Sequence, residues 1–512
     1  MTQKELHWWT LKSCLVFTIT FVVVAWAGLH TAHAEDGLAI PAKATDQADV
    51  AASELLCRLG VNATHSYVGP FDAVDMAQLR TGWYIDYRAP VAPARPNNIE
   101  HAPVIRITQT GPSSYSASPG GSQLRSVVTA NPGVDWIIGN EPDRRQVQDD
   151  LQPHIYALAY HDLYGQIKKA DPTAKIFAGA IVQPTPLRLQ YLDMVLKSYY
   201  RQFGHGLPAD GWAIHNFILN EASCDHYKDL QVCWGADIPP DIDAIDGLRI
   251  EPSQNDDFSL FVEQVTRFRL WMATRGYMGK PLYVSEYGVL MPEWVDLPTG
   301  FPPERVNTFM NKSLDYLLNT TNLLYGDPAD GYRIVQRLAW FSTVTTDFNG
   351  YLFQRDSDTA PYRLSAMGEN WVNYVNTITS TTDLYPLYIT FDPAAPLIDQ
   401  GAVDVKIKAV VANSGNTLTP QPLTVRFYDG DPKQGGTLIG TKSAALTGCG
   451  ETTELSVTWP KVEPAKRRVY VSVESNGSTP ESNKENNILS ATLFFASQQV
   501  FLPAILRPLM VP

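Results

Sequence analysis

Two glutamates follow apolar segments that have the composition of buried strands. Glu141 comes directly after residues 136–140, and Glu286 comes directly after residues 281–285. A carboxylate at the end of a buried strand costs free energy unless it has a partner or a chemical task. In one parallel barrel both glutamates would converge on the carboxyl-terminal mouth, where two carboxylates can cleave a glycosidic bond. For each glutamate alone, a solvated loop position or a helix cap is the alternative interpretation.

The segments around both glutamates resemble the signatures of a known group of enzymes. Residues 139–142, Gly-Asn-Glu-Pro, and residues 285–288, Ser-Glu-Tyr-Gly, resemble the strand-four and strand-seven signatures of glycoside hydrolase clan A. The resemblance implies that Glu141 is the general acid/base, that Glu286 is the nucleophile, and that Asn140 binds the sugar 2-hydroxyl. It implies a retaining mechanism without metal or cofactor. We also expect the charge of Glu286 to raise the pKa of Glu141 and keep it protonated.

Three further positions can be compared with the clan pattern. His215 matches the histidine of a His-x-Tyr sequence, but Phe217 replaces the tyrosine that supports the nucleophile in many clan members. Tyr287 is a candidate substitute for that tyrosine. Trp340, at the end of the predicted eighth strand, is a candidate platform beneath the sugar, because an apolar sugar face stacks well on indole. A hydrogen-bonded core histidine and ordinary barrel packing are the alternatives for His215 and Trp340.

The segments that would position these residues alternate between strand and helix patterns. Helix-period apolar residues recur in 155–167 and in 258–272, as they do on buried helix faces. Repeated βα units predict residues 50–382 to be an α/β domain of the (β/α)8 TIM-barrel type. Arg88 and Arg106, near the ends of the second and third strands, could orient the nucleophile. The eight predicted strands are 59–67, 82–87, 103–108, 134–139, 175–182, 211–217, 281–285 and 335–341.

The cysteines and two unassigned motifs concern the loops. Cys224 and Cys233 lie close together in one loop, which predicts a disulfide in an oxidising compartment. Cys57 and Cys449 fall in different predicted domains, so we expect free buried thiols at both positions. Residues 185–188 and 234–240 match no substrate-defining motif, and the second run, after strand six, would wall one side of a cleft or form a structural loop.

The amino terminus has the layout of a secretory signal. Lys4 and Lys12 accompany an apolar run over residues 13–29, and an Ala-His-Ala sequence ends at Ala34. We therefore predict a signal peptide over residues 1–34 and a secreted or cell-surface protein, with an uncleaved anchor as the alternative. No membrane span is expected in the mature chain.

Composition limits the class of partner. The chain has 512 residues, of which 44% are hydrophobic, so it is long enough for more than one domain with a sizeable core. Loss of residues 1–34 would change the net charge from −13 to −14. This acidic balance, without a basic stripe, argues against nucleic acid and fits a neutral poly- or oligosaccharide.

After about residue 384 the helical pattern gives way to alternating strands. Turn signals at residues 413–416 and 429–432 predict a small all-β immunoglobulin-like sandwich over residues 384–497. Residues 411–416 and 481–487 resemble the CARDB-type domain. The resemblance implies a spacer, a carbohydrate contact or an adhesion unit, of which we favour the spacer. The apolar tail, residues 498–512, would serve sorting or pack on the sandwich.

Together these features predict a secreted retaining glycosidase that acts on a β-linked poly- or oligosaccharide. The rival interpretation is a non-catalytic carbohydrate-binding or surface-adhesion protein on a barrel scaffold. The replacement of tyrosine by Phe217 and the adhesion-type module favour it, whereas the presence of both glutamates argues against it. The substrate-defining residues lie in loops that no motif identifies.

Overall fold

The computed structural model describes residues 55–497 with the exception of residues 64–72, 97–98, 230, 296–297 and 346–347. The predicted signal peptide and the apolar tail lie outside the described residues. Within them, a mostly parallel sheet with surrounding helices is followed by an all-β domain.

The first domain contains one curled sheet of ten strands. They are β1 (Leu59–Asn62), β2 (Trp83–Ile85), β3 (Glu100–His101), β4 (Val104–Gly111), β5 (Ser114–Ser118), β6 (Asp135–Ile138), β7 (Lys175–Ile181), β8 (Gly211–His215), β9 (Leu282–Tyr287) and β10 (Arg337–Trp340). A short pair, β11 (Phe353–Gln354) and β12 (Arg363–Leu364), forms a separate ribbon.

Helices connect most of these strands. They are α1 (Leu55–Arg58), α2 (Gly121–Ala130), α3 (Pro153–Ala170), α4 (Pro186–Phe203), α5 (Cys224–Tyr227), α6 (Phe258–Thr274), α7 (Pro303–Asn319) and α8 (Ala366–Asn376). Helices α3 and α6 correspond to the two predicted helical segments. Their periodic apolar residues are buried because each helix lays one apolar stripe on the sheet.

The strand order is β3-β2-β1-β10-β9-β8-β7-β6-β4-β5, and only β4 and β5 pair in antiparallel fashion. Each of the eight predicted strand ranges overlaps one of these strands. Strands β3 and β4 lie far apart in this order but are separated in the chain only by Ala102 and Pro103. Strand β3 pairs with β2, whereas β4 pairs with β6.

Side chains alternate between the two faces of the sheet. One face carries a small cluster that includes Phe177, Ala213, Tyr283 and Ala339. The other face packs against the helices in a much larger core, to which Leu338 contributes. Both faces are therefore buried, which explains why the strands read as nearly continuous apolar runs.

The carboxyl-terminal domain is a sandwich of two antiparallel sheets, ordered β13-β14-β17 and β16-β15-β18-β19. Alternate residues of facing strands, such as Val405, Ile407, Val425 and Val471, are buried between the sheets. The strands are β13 (Leu384–Asp392), β14 (Val403–Asn413), β15 (Gln421–Asp429), β16 (Thr437–Leu446), β17 (Glu451–Val462), β18 (Arg467–Ser475) and β19 (Ile488–Leu493).

The prediction of free thiols at Cys57 and Cys449 is wrong, because a disulfide joins them with a Cα–Cα distance of 5.4 Å. The turn between β16 and β17 faces the sheet end at which β6, β7 and β10 begin. A cavity of about 780 Å³ lies there, between Asp135, Lys175 and Arg337 and the sandwich turn. The two cysteines thus become neighbours because the domains pack together, and this contact cannot be predicted from their distant positions in the sequence.

We expect the Cys57→Ser/Cys449→Ser variant to lose about 5 kcal/mol in its free energy of unfolding, measured by denaturant titration. The disulfide joins residues 392 positions apart, and its effect on unfolded-chain entropy increases with loop length. The matched control, Cys224→Ser/Cys233→Ser, opens a bridge over 9 positions and should lose only about 2–3 kcal/mol. Equal losses in both variants would contradict an effect of loop length.

Among the described residues, no helix has both the length and the apolar character needed to cross a membrane.

Candidate active site

Three buried titratable residues meet at the carboxyl-terminal ends of three parallel strands of the sheet. Glu141 follows β6, His215 ends β8, and Glu286 lies near the end of β9. Their exposed fractions are 2%, 1% and 5%, respectively. A register shift after Ile214 brings His215 directly opposite Glu286 in the β8–β9 pair. The parallel direction of the strands therefore collects at one end of the sheet the residues that the sequence separates.

His215 connects the two glutamates. Its Nδ1 atom lies 3.0 Å from Oε1 of Glu141, and its Nε2 atom lies 3.0 Å from Oε1 of Glu286. One oxygen of Glu141 and one oxygen of Glu286 lie within 4.8 Å of each other. The three side chains thus form one short hydrogen-bonded chain, carboxylate–imidazole–carboxylate.

The expectation of a raised pKa at Glu141 is wrong. Burial alone would raise this pKa, but Arg144 and His215 outweigh burial and lower it to about 2. Nη1 of Arg144 lies 3.0 Å from Oε2 of Glu141. The charge of the second carboxylate would raise this pKa, but two cations contact Glu141 directly.

His215 shows the opposite shift. Burial would lower the pKa of His215, but the charges of Glu286 and Glu141, and hydrogen bonds to both, raise it to about 10. An imidazole whose two nitrogens both face carboxylate oxygens satisfies both only when each nitrogen carries a proton. The hydrogen-bonded chain of Glu141, His215 and Glu286 therefore contains a charged histidine at neutral pH.

The nucleophile candidate has a tyrosine partner that the sequence analysis missed. Tyr87, two residues beyond β2, hydrogen-bonds Glu286, and burial together with the charge of Glu286 raises the pKa of Tyr87 well above its usual value. The one hydroxyl proton of Tyr87 is shared between Glu286 and Oδ1 of Asn62, which lies 3.0 Å from Oη, and the Asn62 amide donates to the Ser285 carbonyl at 3.0 Å. The signal for this residue in the sequence is a tyrosine at the end of the predicted strand 82–87, whereas the clan pattern points to strand six.

Two residues of the site have left-handed backbone conformations. The φ angle is 48° at Glu141 and 60° at Tyr87. Such conformations cost roughly 1–3 kcal/mol each in residues other than glycine and persist where the surroundings enforce them. The contacts around Glu141 and Tyr87 therefore hold both side chains in place at a cost in backbone strain.

A buried ion cluster supports the segment that follows Glu141. Arg188 lies 2.6 Å from Asp143 and 2.6 Å from Glu221, and all three side chains are fully buried. Arg188 also donates to the Asp237 carbonyl at 2.7 Å. The unassigned runs 185–188 and 234–240 thus meet each other through Arg188, which explains their polar residues structurally.

The loop after β8 borders Glu141. A disulfide joins Cys224 and Cys233 with a Cα–Cα distance of 5.1 Å, and Arg144 donates to the Gly235 carbonyl at 3.1 Å. Beside this loop, an apolar cluster contains the described aromatic residues Phe217, Trp234 and Phe341. Phe217 makes edge contacts with the rings of His215 and Phe341, with centroid distances of 6.0 Å and 5.8 Å.

The structure does not bring Tyr287 and Trp340 to this site. Both side chains are fully buried on the helix-facing side of the sheet, in edge contact with each other. Nε1 of Trp340 donates to the Gly350 carbonyl at 2.6 Å. The reason is the alternation of side chains along a strand. Glu286 and Ala339 face the inside of the curled sheet, so the next residues, Tyr287 and Trp340, face the helices.

The remaining predicted positions lie near the site with other partners. Asn140 is 4% exposed, adjoins Glu141, and donates its amide to Gln148 at 3.2 Å. Arg88 pairs with Asp86, and Arg106 pairs with Asp149 at 2.6 Å. Neither arginine has a described contact with Glu286.

The cluster of Glu141, His215 and Glu286 also has a spacing compatible with a divalent cation. However, the two ring nitrogens of His215 point at different carboxylates. A metal bound by this histidine would have to replace one of those two contacts. The arrangement therefore favours proton transfer along a hydrogen-bonded chain over metal binding.

Residues 383–491 match the CARDB family model. No curated protein matches the chain. The structure is similar to a glucosidase from Croceicoccus marinus, with 12% identity and a TM-score of 0.39 over 80% of this chain and 94% of that chain. It is also similar to AbfB, a family 51 alpha-L-arabinofuranosidase from Bifidobacterium longum, with 13% identity and a TM-score of 0.34 over 79% and 97% of the two chains.

The carboxyl-terminal domain is similar to the CARDB domain of the PF1109 protein from Pyrococcus furiosus, crystallised with di-metal ions. The identity is 18% and the TM-score 0.18 over 23% of this chain and 91% of that chain. Residues 383–491 thus form a CARDB domain, and the structures similar to the chain as a whole include glycoside hydrolases.

Proposed function

We propose that this protein is a retaining glycoside hydrolase in which Glu286 is the nucleophile and Glu141 is the general acid/base. The distance between the two carboxylates is the observation that carries the proposal. Retaining glycosidases hold their carboxyl groups about 5–5.5 Å apart, whereas inverting enzymes need about 6.5–9.5 Å to admit a water molecule. One oxygen of Glu141 and one oxygen of Glu286 lie within 4.8 Å of each other, a nearest-atom separation that fits the shorter of these two spacings.

The surroundings of Glu286 fit attack on a sugar carbon. Tyr87 and His215 both contact this carboxylate and so orient it. The nucleophile support that Phe217 cannot supply comes in this proposal from Tyr87. The presence of Phe217 in place of the clan tyrosine therefore gives no support to the rival interpretation of an inactive barrel.

We further infer that the sheet closes into an eight-stranded barrel. The chain segment from β3 to β4 pairs with β2 through its first part and with β6 through its second part. Backbone hydrogen bonds continue through the junction, from Ala102 N to the Tyr84 carbonyl and from Ile137 N to the Pro103 carbonyl, both at 3.0 Å. Counting β3 and β4 as one strand leaves eight parallel strands in a ring, with the glutamates at its mouth.

The substrate in this proposal is a β-linked poly- or oligosaccharide outside the cell. The partly buried rings of Trp234 and Phe341 supply aromatic surface around the buried Phe217, which contacts His215, and apolar sugar faces stack on such rings. Phe341 takes the platform role that the sequence suggested for Trp340, while Asn140 and His215 remain candidate sugar contacts. Two disulfides and the predicted signal peptide support export.

A panel of β-glycans assayed for new reducing ends tests the function. We expect the purified protein to hydrolyse at least one glycan and the Glu286→Gln variant to hydrolyse none of them. The variant removes the nucleophile while leaving a side chain of similar size. Binding of a glycan by both proteins without hydrolysis would overturn the enzyme proposal in favour of a carbohydrate-binding protein.

A further inference from the structure

The low pKa of Glu141 conflicts with the role of a general acid unless another group supplies the proton. A general acid must carry a proton when the glycosidic bond breaks. In the free protein Glu141 contacts two cations, Arg144 at 3.0 Å and His215 at 3.0 Å, and so it is ionised at neutral pH. The proton for the leaving group must therefore be held elsewhere in the site.

We propose that His215 stores the catalytic proton between turnovers and passes it from Nδ1 to Oε1 of Glu141 when substrate is bound. This inference rests on the proposed function. The Nδ1–H bond of His215 breaks as the O–H bond of Glu141 forms, so a charged imidazole and a carboxylate become a neutral imidazole and a carboxylic acid. Glu141 then protonates the departing oxygen while Glu286 attacks carbon. In the second step Glu141 takes a proton from water, and that proton returns to Nδ1.

The geometry suits this transfer. His215 lies between the two glutamates with both ring nitrogens in hydrogen-bond range, and its side chain is 2% exposed, so bulk water does not compete for the proton. After the transfer, Nε2 keeps its proton and still donates to Glu286. The nucleophile therefore retains its hydrogen bond throughout.

The charged groups around His215 determine how readily the proton moves. Glu141 and Glu286 face its two nitrogens, Tyr87 lies behind Glu286, and Arg144 lies behind Glu141. Nε of Arg144 is buried and has no hydrogen-bond partner among the described residues. Arg144 is thus held by fewer hydrogen bonds than Arg188, whose three guanidinium nitrogens all have partners. Its displacement by an arriving sugar would remove one of the two charges that keep Glu141 ionised.

The first test needs no substrate. In protein labelled with ¹⁵N at histidine, the ring signals of His215 are identified by their loss in the His215→Gln variant. We expect both ring nitrogens to remain protonated through neutral pH and well into the alkaline range. A neutral His215 at pH 7 would overturn the proposal even if the protein proves to be a glycosidase, whereas absence of any hydrolysis would overturn the function and leave this titration unaffected.

The second test uses pH profiles of kcat/KM on a hydrolysed glycan. We expect the activity of the natural protein to persist above neutral pH. In the His215→Gln variant, activity should already be lost below neutral pH as the pH rises, because Glu141 beside Arg144 must then hold the proton alone. At neutral pH the loss should be about 10²–10⁴-fold on a glycan, but small for formation of the glycosyl-enzyme from a dinitrophenyl glycoside, whose leaving group needs no proton.

A second substitution separates proton storage from general damage. In the double variant His215→Gln/Arg144→Gln, neither cation lowers the pKa of Glu141 and burial raises it. The pH at which activity is lost should therefore move back to a higher value. The control His101→Gln removes another buried histidine, whose Nε2 lies 2.8 Å from Asp86 and which contacts neither glutamate. The proposal would be overturned if His215→Gln lost activity at the same alkaline pH as the natural protein. It would also be overturned if adding Arg144→Gln did not shift that loss of activity to higher pH.

Discussion

Replacing Glu286 by Ala is expected to reduce turnover of every substrate by on the order of 10⁴-fold or more, because no leaving group can replace a missing nucleophile. Replacing Glu141 by Ala should instead depend on the substrate. Natural glycans should be affected most strongly, whereas an activated aryl glycoside should still form the glycosyl-enzyme and then accumulate it, since water lacks its general base. Steady-state rates and the burst of released phenol distinguish the two variants.

Added azide provides the control for this assignment, because azide attacks without a general base. The Glu141→Ala variant should yield a glycosyl azide of retained configuration, and the Glu286→Ala variant should yield the inverted product. Carboxylate oxygens within 4.8 Å of each other are what make a double displacement on these residues possible. Hydrolysis by Glu286→Ala at the unmodified rate would show that the two roles are assigned incorrectly.

The Arg188→Met variant is expected to lose about 3–5 kcal/mol in its free energy of unfolding at neutral pH. Methionine fills most of the volume but leaves Asp143 and Glu221 as buried carboxylates without their common cation, and breaking a buried pair from one side has about this cost. Denaturant titration followed by tryptophan fluorescence measures the loss.

The pH dependence of this deficit has a definite sign. Burial already raises the pKa of Asp143 despite Arg188, so loss of the arginine raises it further. A carboxyl with a raised folded-state pKa is penalised only when it is ionised, so the deficit should shrink as the pH falls. The control Arg275→Met breaks an ion pair with Asp193 in which both partners are about one-third or more exposed, and it should cost less than about 1 kcal/mol. Similar losses in both variants would contradict the role of burial.

Much of the site could be predicted because the relevant signals are local. Residues 136–140 and 281–285 are apolar over a strand's length, and strands in parallel order carry the residues that follow them to one end of the sheet. Glu141, His215 and Glu286 were therefore identifiable before their distances were known. The alternating pattern after residue 384 likewise predicts the sandwich that the structure contains.

The errors arise where long-range contacts decide. Tyr287 and Trp340 stand at the correct strand ends, but the face on which each side chain lies depends on the register and irregularities of neighbouring strands, which no single segment reveals. Likewise, Tyr87 reaches Glu286 from another strand. Its contact depends on how the sheet curls rather than on any motif.

The sequence by itself determined which segments are strands and helices, which two carboxylates end buried strands, and where the second domain begins, because apolar periodicity follows from burial of one or both faces of each element. Only the tertiary structure decided that Cys57 meets Cys449, that Arg144 and His215 hold Glu141 ionised, and that Glu286 is supported by Tyr87. Disulfide pairing and protonation depend on distances and on the polarity of the surroundings, and both are set by residues that are remote in the chain.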